Sequence, residues 1–455
     1  MKKKISFLGA LALFATTVAF APAATAAEQY SIPAAPKNVK ASVFPNGIMV
    51  KWDAVANTQP EITTYVVSGG PGSCPVYVSP NKGHLQAVLP VMPGQTSVTP
   101  TVQAVNAYGI SAPASTKAIS AAALVNTSKR SDLKVVQIDQ LSDFHGAIPT
   151  VEAMNLMQFD VSTFGNHEHD REMAHIVKMM GLSTNKWVVS NYSTLTPLNA
   201  GSSKVATYTI VNRGGVKLGV VGMNTPETVD TVFPGNLSGI TISPDPKYVN
   251  KAIADAKAAG ADIVVVLNHQ GWAENKSGVA TGPLVTSAQA FKGATVVFGG
   301  HSHLQYNSIS ANNRWAPAVT VAQVANSGVA YNQVSICMNQ GKVIGSAVNV
   351  VTAASISKLT PNATAAALVK KYKDQVSAKL DVKIGKVSGI FPRGGTPAVE
   401  RSGETEMGNY MADLVRAATK TQLTIINGGG IRDTFPAKTY APADKTLVRP
   451  ATGIT

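Results

Sequence analysis

The sequence predicts a multidomain chain: a small all-β module, then a larger layered α/β domain, then a partial α/β unit at the end. Three observations carry this reading. At 455 residues the chain is too long for one hydrophobic core, so about two to four domains are expected. Residues 32–122 hold short alternating segments separated by turn residues, the pattern of half-buried strands. Further on, short apolar runs alternate with helical patterns, as in a parallel or mixed sheet covered by helices.

The chain opens with Lys2-Lys3-Lys4, an apolar stretch over 5–20 and the small residues Ala24-Thr25-Ala26-Ala27. That order is a secretory signal peptide, assigned to residues 1–27. No later apolar run is long enough to span a bilayer. The mature protein is therefore expected to be exported and soluble, either secreted or cell-wall associated. A composition of 45% hydrophobic and 14% charged residues belongs to a globular protein rather than a disordered one. The formal net charge is +14, and Lys2, Lys3 and Lys4 supply three of those charges. The other cations are scattered, which describes a solvated surface with weak attraction for anionic polymers or phosphorylated substrates. No basic stripe with interleaved aromatics occurs, so nucleic-acid recognition is not expected. The two cysteines, Cys74 and Cys337, fall in different predicted domains, and a disulfide framework is not expected even in an oxidising compartment.

In the module, Val39-Lys40-Ala41-Ser42-Val43 and Ile48-Met49-Val50-Lys51-Trp52 alternate around a Pro45-Asn46-Gly47 turn. Residues 64–68 and 101–106 continue the pattern. Trp52 and Val105-Asn106-Ala107-Tyr108-Gly109 resemble a fibronectin type III module, although Val98 stands where that family usually places a tyrosine. The resemblance implies a spacer or binding unit, with a cell-wall polymer as one candidate partner. After an Ala-rich link over 119–128, residues 133–138, 159–164, 263–267 and 295–298 read as buried strands. Residues 208–211 and 216–221 read as a hairpin. A helix is expected over 246–259, capped by Asp245 with Pro246 at its first position, and another over about 149–156. The α/β domain is assigned to 131–352. A linking helix over 359–382 starts at Thr360 with Pro361 in its first turn and shows one apolar face through Leu368, Tyr372, Val376 and Leu380. A partial last domain covers 383–455.

The chemistry concentrates at predicted strand ends. Asp143-Phe144-His145 follows the first strand of the α/β domain, Asn166-His167 the second, His269 the third, and His301-Ser302-His303 the fourth. Ligands bind in the crevice beyond the carboxyl ends of such strands. Imidazoles mixed with carboxylate and amide oxygens suit Mn, Zn or Fe better than Mg or Ca.

The motifs DFH, GNHEHD, NHQG and GGHSH, in this order, resemble the calcineurin-like metallophosphoesterases, and within them the secreted 5′-nucleotidase family. The resemblance implies two divalent metal ions that clamp a phosphate and activate water. By that resemblance Asp143, His145 and His303 would hold one ion, and Asn166, His269 and His301 the other. His167 and Asp170 match the family's catalytic pair, the His stabilising charge on the phosphate or leaving oxygen and the Asp orienting it. His169 stands where the family usually has phenylalanine and receives no role. Downstream, Arg401-Ser402-Gly403-Glu404-Thr405 and Asn427-Gly428-Gly429-Gly430-Ile431-Arg432 resemble the family's nucleotide-recognition segments. Arg401, Asn427, Gly430 and Arg432 would then bind the nucleotide or other phosphate-ester substrate, the arginines matching its anionic edge.

Two family features are not found. Between the DxH and GNHE motifs the family inserts a further strand ending in Gly-Asp, whose carboxylate bridges the metals. Here residues 146–165 allow one helix and one strand and contain no Gly-Asp. Asp160 cannot substitute, because six residues at about 3.3 Å each place it on the order of 20 Å from the metal end. Glu152 should face away from the sheet. A bridged metal pair is therefore in question, and the missing strand should expose its neighbours' edges. The second missing feature is the pair of base-stacking aromatics beyond Tyr440. The primary expectation is an exported metal-dependent phosphoesterase acting on 5′-nucleotides or related esters. The alternative is a catalytically impaired relative that binds the cell wall or surface through its fibronectin-like module.

Overall fold

A computed structural model describes residues 32–56, 60–80, 84–106, 109–143, 147–200, 204–274, 280–309, 319–380, 390–394, 399, 400, 402–431, 434 and 435. The expected signal peptide, His145, Arg401 and Arg432 lie outside these residues.

The N-terminal module forms strands where the alternation predicts them, although Lys40–Phe44 buries none of its residues. Lys40–Phe44, Gly47–Lys51 and Gln86–Leu89 make one antiparallel sheet. Thr64–Ser68 sits between Val76–Val78 and Thr101–Asn106 in a second sheet. Ile48 and Val50 from the first sheet meet Tyr65, Val67, Val102 and Ala104 from the second in one shared core. Trp52 closes this core, its ring centroid 5.5 Å from that of Tyr65. The Ala-rich link belongs to the module, because Leu124 is buried in the same core.

Thr64–Ser68 is buried along its whole length rather than on alternate residues. Its second face, with Val66 beside Val105 and Ile110, packs onto Ile336 and Val348 of the larger domain. The Tyr77 hydroxyl accepts a hydrogen bond from Ser346 N at 2.6 Å and donates to Ser346 O at 2.5 Å. This docking overturns the expectation for the cysteines. Cys74 and Cys337, 263 residues apart, form a disulfide with Cα atoms 5.0 Å apart. The separate-domain assignment said nothing about which domain faces touch, and the docked faces bring the two thiols together.

The α/β domain opens with strand β1 (Leu133–Gln140), helix α1 (Ile148–Leu156), strand β2 (Val161–Thr163), helix α2 (Met173–Leu182) and strand β3 (Lys186–Val188). Next come the hairpin β4 (Tyr208–Arg213) and β5 (Val216–Met223), helix α3 (Lys247–Ala258) and strand β6 (Ile263–Asn268). Helix α4 (Pro283–Ala290), strand β7 (Val296–Gly299) and strand β8 (Thr320–Gln323) follow. The long hairpin β9 (Ala330–Asn339) and β10 (Lys342–Thr352) completes the domain.

Strands β4 to β8, with Tyr306–Ile309 at one edge, form a six-stranded sheet in which β5, β6, β7 and β8 run parallel. Strand β6 shows why its sequence is almost uniformly apolar. Val264 and Val266 face Ile253 of α3 and Leu284 of α4, while Ile263 and Val265 face Val334 and Ile336 of the second layer. A central parallel strand buried on both faces needs apolar residues at every position. Helix α3 starts one residue later than expected, with Pro246 rather than Asp245 at the N-cap position; the Asp245 carboxylate, one residue earlier, accepts the Lys247 N–H at 2.9 Å.

Two smaller sheets lie alongside. Among the described residues, strand β1 pairs only with β9, and β2 only with β3, so each is the terminal strand of its own sheet. The two edges where the family pattern places a further strand are therefore both left open.

Beyond the domain, helix α5 (Ala363–Leu380) starts three residues later than expected. The Asn362 carboxamide caps it, accepting from Thr364 N at 3.0 Å and Ala365 N at 3.1 Å, so Thr360 and Pro361 precede the helix. Its expected apolar face is only partly covered, with Val376 43% exposed. Helix α6 (Glu406–Thr419) is capped by Thr405 and buries none of its side chains. Among the described residues no helix is long and apolar enough to cross a membrane.

Candidate metal and phosphate site

Strands β1, β2, β5, β6 and β7 end at one edge of the domain, and each delivers a polar side chain there just past its C-terminus. Asp143 follows β1, Asn166 and His167 follow β2, Glu227 follows β5, His269 follows β6, and His301 and His303 follow β7. The apolar strands are rigid supports, so the side chains start from fixed positions.

Asn166 Oδ1 lies 3.2 Å from His269 Nε2 and 3.2 Å from His301 Nδ1. Asp143 Oδ1 lies 3.6 Å from His269 Nε2 and 3.9 Å from His303 Nε2. Two donors bound at about 2.1 Å to one tetrahedral ion are themselves about 3.4 Å apart. Asn166 Oδ1 therefore stands at the donor spacing of a coordination shell from both His269 Nε2 and His301 Nδ1. Among the described residues, no three side chains drawn from His, Cys, Asp and Glu alone are grouped so as to hold a metal ion. The close set depends on the Asn166 amide oxygen. For the other expected set, Asp143 and His303 approach each other, while His145 lies outside the described residues.

Local geometry is tightly constrained. Asp143, His301 and His303 all have left-handed backbone angles, with φ of 56°, 70° and 61°. Each such non-glycine residue costs on the order of 1 kcal/mol and persists only where its surroundings over-determine it. For Asp143 the surroundings are visible: its carboxylate accepts from His301 N at 2.8 Å and from Ser142 Oγ at 2.5 Å. Two glycines admit the His269 ring. A Cβ on Gly165 would stand 2.6 Å from His269 Nε2, and one on Gly300 would stand 3.1 Å from His269 Nδ1. Burial pushes His269 down to about 4, against the opposing pull of Asp143. The ring is thus neutral at pH 7, the form that binds metals.

The GNHEHD segment folds as a 3-10 turn over Asn166–Asp170. In a 3-10 turn residues three apart eclipse one another. His167 and Asp170 accordingly meet, Nδ1 to Oδ2, at 2.8 Å. Glu168 points inward and accepts the Gly165 N–H at 2.7 Å, closing the turn from inside. Burial pushes Glu168 up to about 7, opposed by that hydrogen bond. His169 is buried on the far side, its Nε2 2.6 Å from the Tyr192 hydroxyl, which also receives Asn224 Nδ2 at 2.8 Å. His169 is thus a core residue beside Phe164, whose ring centroid is 6.2 Å away.

Sequence reasoning missed Glu227. Its carboxylate lies 3.0 Å from His301 Nε2, on the ring edge opposite Asn166. A carboxylate there holds the proton on Nε2 and leaves the Nδ1 lone pair facing the cluster. The available signal was its position just past the C-terminus of β5. The two acids already set aside lie elsewhere: Asp160 is ion-paired with Arg213 of β4, and Glu152 with Lys371 of α5.

The downstream residues are not joined to this cluster. The Asn427 carboxamide caps its own turn, accepting Gly429 N at 3.0 Å, and among the described residues no hydrogen bond or ion pair links Asn427 or Gly430 to the histidines. Also missed was an aromatic group in this part of the chain. Phe391 and Tyr410 stack with ring centroids 4.5 Å apart, and Phe435 lies 5.8 Å from Tyr410.

A family model described as calcineurin-like phosphoesterase matches residues 136–305. The chain is 26% identical over 296 residues to endonuclease YhcR of Bacillus subtilis, an alignment covering 63% of this chain and 23% of that protein. It is 24% identical over 328 residues to cell wall protein Lmo0130 of Listeria monocytogenes, covering 62% and 40%. It is 22% identical over 344 residues to a 5′-nucleotidase of Vibrio cholerae, covering 68% and 61%. A solved 5′-nucleotidase precursor from Thermus thermophilus shares the fold, with a TM-score of 0.52 at 22% identity over 63% of this chain and 57% of that one. The chain thus spans less than two thirds of the length of each of these relatives. With a family match over the segment that carries Asp143, Asn166, His269, His301 and His303, and 5′-nucleotidases among its relatives, the chain contains a calcineurin-like metallophosphoesterase domain.

Proposed function

We propose that this protein is an exported, divalent-metal-dependent phosphoesterase that hydrolyses 5′-nucleotides or related phosphate esters. The observation that carries the reading is that Asn166 Oδ1 stands at coordination-shell spacing from both His269 Nε2 and His301 Nδ1. These three residues would hold one ion, and Asp143 with His145 and His303 would contribute to a second. Mn or Zn fits the mixed imidazole and oxygen donors. When bound, such an ion supplies Lewis acidity toward a phosphoryl oxygen and toward water.

The chain's own residues do the rest. Asp170 holds the His167 ring by Nδ1, which aims Nε2 outward as a donor to the phosphoryl or leaving oxygen. Glu227 fixes the His301 tautomer. Glu168 shapes the turn that places Asn166 and His167. Arg401, Asn427, Gly430 and Arg432 are proposed as substrate contacts that form when the C-terminal unit meets the cluster. The domain boundaries 32–122, 131–352 and 383–455, the fibronectin-like character of the module and the signal peptide over 1–27 belong to the same proposal.

The test is phosphate release by the purified protein with Mn²⁺, offered AMP, a 2′,3′-cyclic nucleotide and a nucleotide sugar in parallel. Release from at least one ester, lost on His167→Ala, is expected. No release from any of them would reject the hydrolase reading.

A further inference from the structure

Gln323 is the last residue of β8 and is fully buried. Its carboxamide nitrogen donates to Ser302 Oγ at 2.8 Å and to Leu304 O at 2.7 Å, the residues on either side of His303. A backbone carbonyl can only accept, so the amide nitrogen rather than the oxygen must face this loop. The loop returns the contact, with Gln305 Nε2 donating to Gln323 O at 2.8 Å. The carboxamide oxygen of Gln323 is buried with no hydrogen-bond partner among the described residues, which is destabilising. The neighbouring Val321 and Ala322 are apolar and fully buried, so packing alone would be served better by an apolar side chain at this position.

The loop has a need that matches this arrangement. His301 and His303 are both left-handed, a conformation that residues other than glycine keep only where their surroundings enforce it. Asp143 holds the first of them by accepting the His301 N–H. Gln323 holds the second by bonding to both of its chain neighbours. The same amides lead back to Asp143. Gln305 Nε2 lies 3.5 Å from Asn332 Oδ1, Asn332 Nδ2 donates to Gln140 Oε1 at 3.0 Å, and Gln140 Nε2 donates to Leu141 O at 3.1 Å. Asn332 and Gln140 are buried and face each other across β9 and β1. The 3.9 Å approach of His303 Nε2 to Asp143 Oδ1 is thus set from both sides by one network of amides.

We propose that Gln323 is a positioning residue of the metal site, which fixes the backbone around His303 so that its imidazole faces Asp143 before any ion binds. It touches neither substrate nor metal and acts only through the 302–305 loop. The inference rests on the reading of this cluster as a metal centre, but the hold on the loop is a property of the metal-free protein. Outer partners that orient a ligand in this way raise affinity by removing the need to order it on binding.

The experiment compares the full-length protein with Gln323→Met, which keeps an unbranched side chain and removes both donors. Backbone amide hydrogen exchange is measured without metal, and Mn²⁺ binding by isothermal titration. The His301 and Ser302 amides donate to Asp143 Oδ1 and Gly300 O, and their exchange is expected to quicken about tenfold or more in the variant while β6 is unchanged. Mn²⁺ affinity should fall by about 10- to 100-fold. Unchanged exchange at these amides, or faster exchange with wild-type Mn²⁺ affinity, would overturn the proposal. If Gln323→Met loses protection throughout the sheet, Ser302→Ala decides, because it removes one of the two bonds at a half-buried residue. Faster exchange at His301 with weaker Mn²⁺ binding would then uphold the proposal, and wild-type behaviour would overturn it. A wild-type protein that binds no Mn²⁺ would reject the metal-centre reading, and the exchange comparison would still uphold or overturn the hold on the loop.

Discussion

Glu227 and His301 are joined at 3.0 Å through Oε2 and Nε2, while Nδ1 of the same ring lies 3.2 Å from Asn166 Oδ1. The imidazole thus links an outer carboxylate to the cluster. Glu227→Ala is expected to weaken Mn²⁺ affinity by about 10- to 100-fold, the usual loss for such outer partners. Isothermal titration with Mn²⁺ checks this, and circular dichroism should show an unchanged fold.

His167 and Asp170 should separate from the metal-holding residues in their effects. His167→Ala is expected to lower kcat by about 100-fold or more while leaving metal content unchanged. Asp170→Asn keeps the hydrogen bond but not the charge, and should cost less. Steady-state kinetics with parallel metal analysis reads both outcomes.

Gly165→Ala places a methyl group 2.6 Å from His269 Nε2, inside contact distance. The ring must shift, so metal affinity should fall, and strain should lower stability by about 1–3 kcal/mol. Denaturant titration together with Mn²⁺ titration measures the two losses.

His169 makes stability depend on acid. Burial lowers it to about 4 in the fold, against about 6.5 in the unfolded chain. Its neutral form is what the fold accepts. Its contribution is therefore complete above about pH 6.5, falls as pH drops toward 4, and changes no further below that, a total of about 3 kcal/mol. His169→Phe removes the titrating group, whose buried Nδ1 has no hydrogen-bond partner among the described residues. It also deprives the Tyr192 hydroxyl of its acceptor. The variant should have similar stability at pH 7 and a flatter stability profile between pH 4 and 6.5, read by urea unfolding at several pH values.

The Cys74–Cys337 disulfide ties the module to β9. Cys337→Ser is expected to cost about 2–5 kcal/mol. Thermal unfolding with and without dithiothreitol should show the same loss in the wild type and no further change in the variant.

The strands that carry the cluster were legible because each is a short apolar run that stops at a polar motif. Thr64–Ser68 was readable to the residue, yet its burial on both faces was not, since alternation describes one face and docking supplies the other. The disulfide was hidden for the same reason. Helix α5 began later than proline placement suggested, because Asn362 caps it. The hairpin of β9 and β10 went unread although it carries Cys337. At the site, His167 and Asp170 were legible only through the resemblance of the GNHEHD motif to a known family, and the 3-10 turn that joins them appeared with the structure. Glu227 was not, because a lone acid after a strand has no local mark, and only assembly of the sheet brings β5 beside β7's histidines. Residues 146–165 told a great deal by what they lack: the open edges of β1 and β2 are where that lack becomes visible.

The most direct test of the central claim is AMP hydrolysis by the chelator-treated protein as Mn²⁺ is returned. Phosphate release should be undetectable without metal, rise to saturation with Mn²⁺, and stay at the baseline in Asn166→Ala and His269→Ala. Release that persists undiminished in excess EDTA, or that survives both substitutions, would contradict the assignment of the Asn166, His269 and His301 cluster as the metal centre.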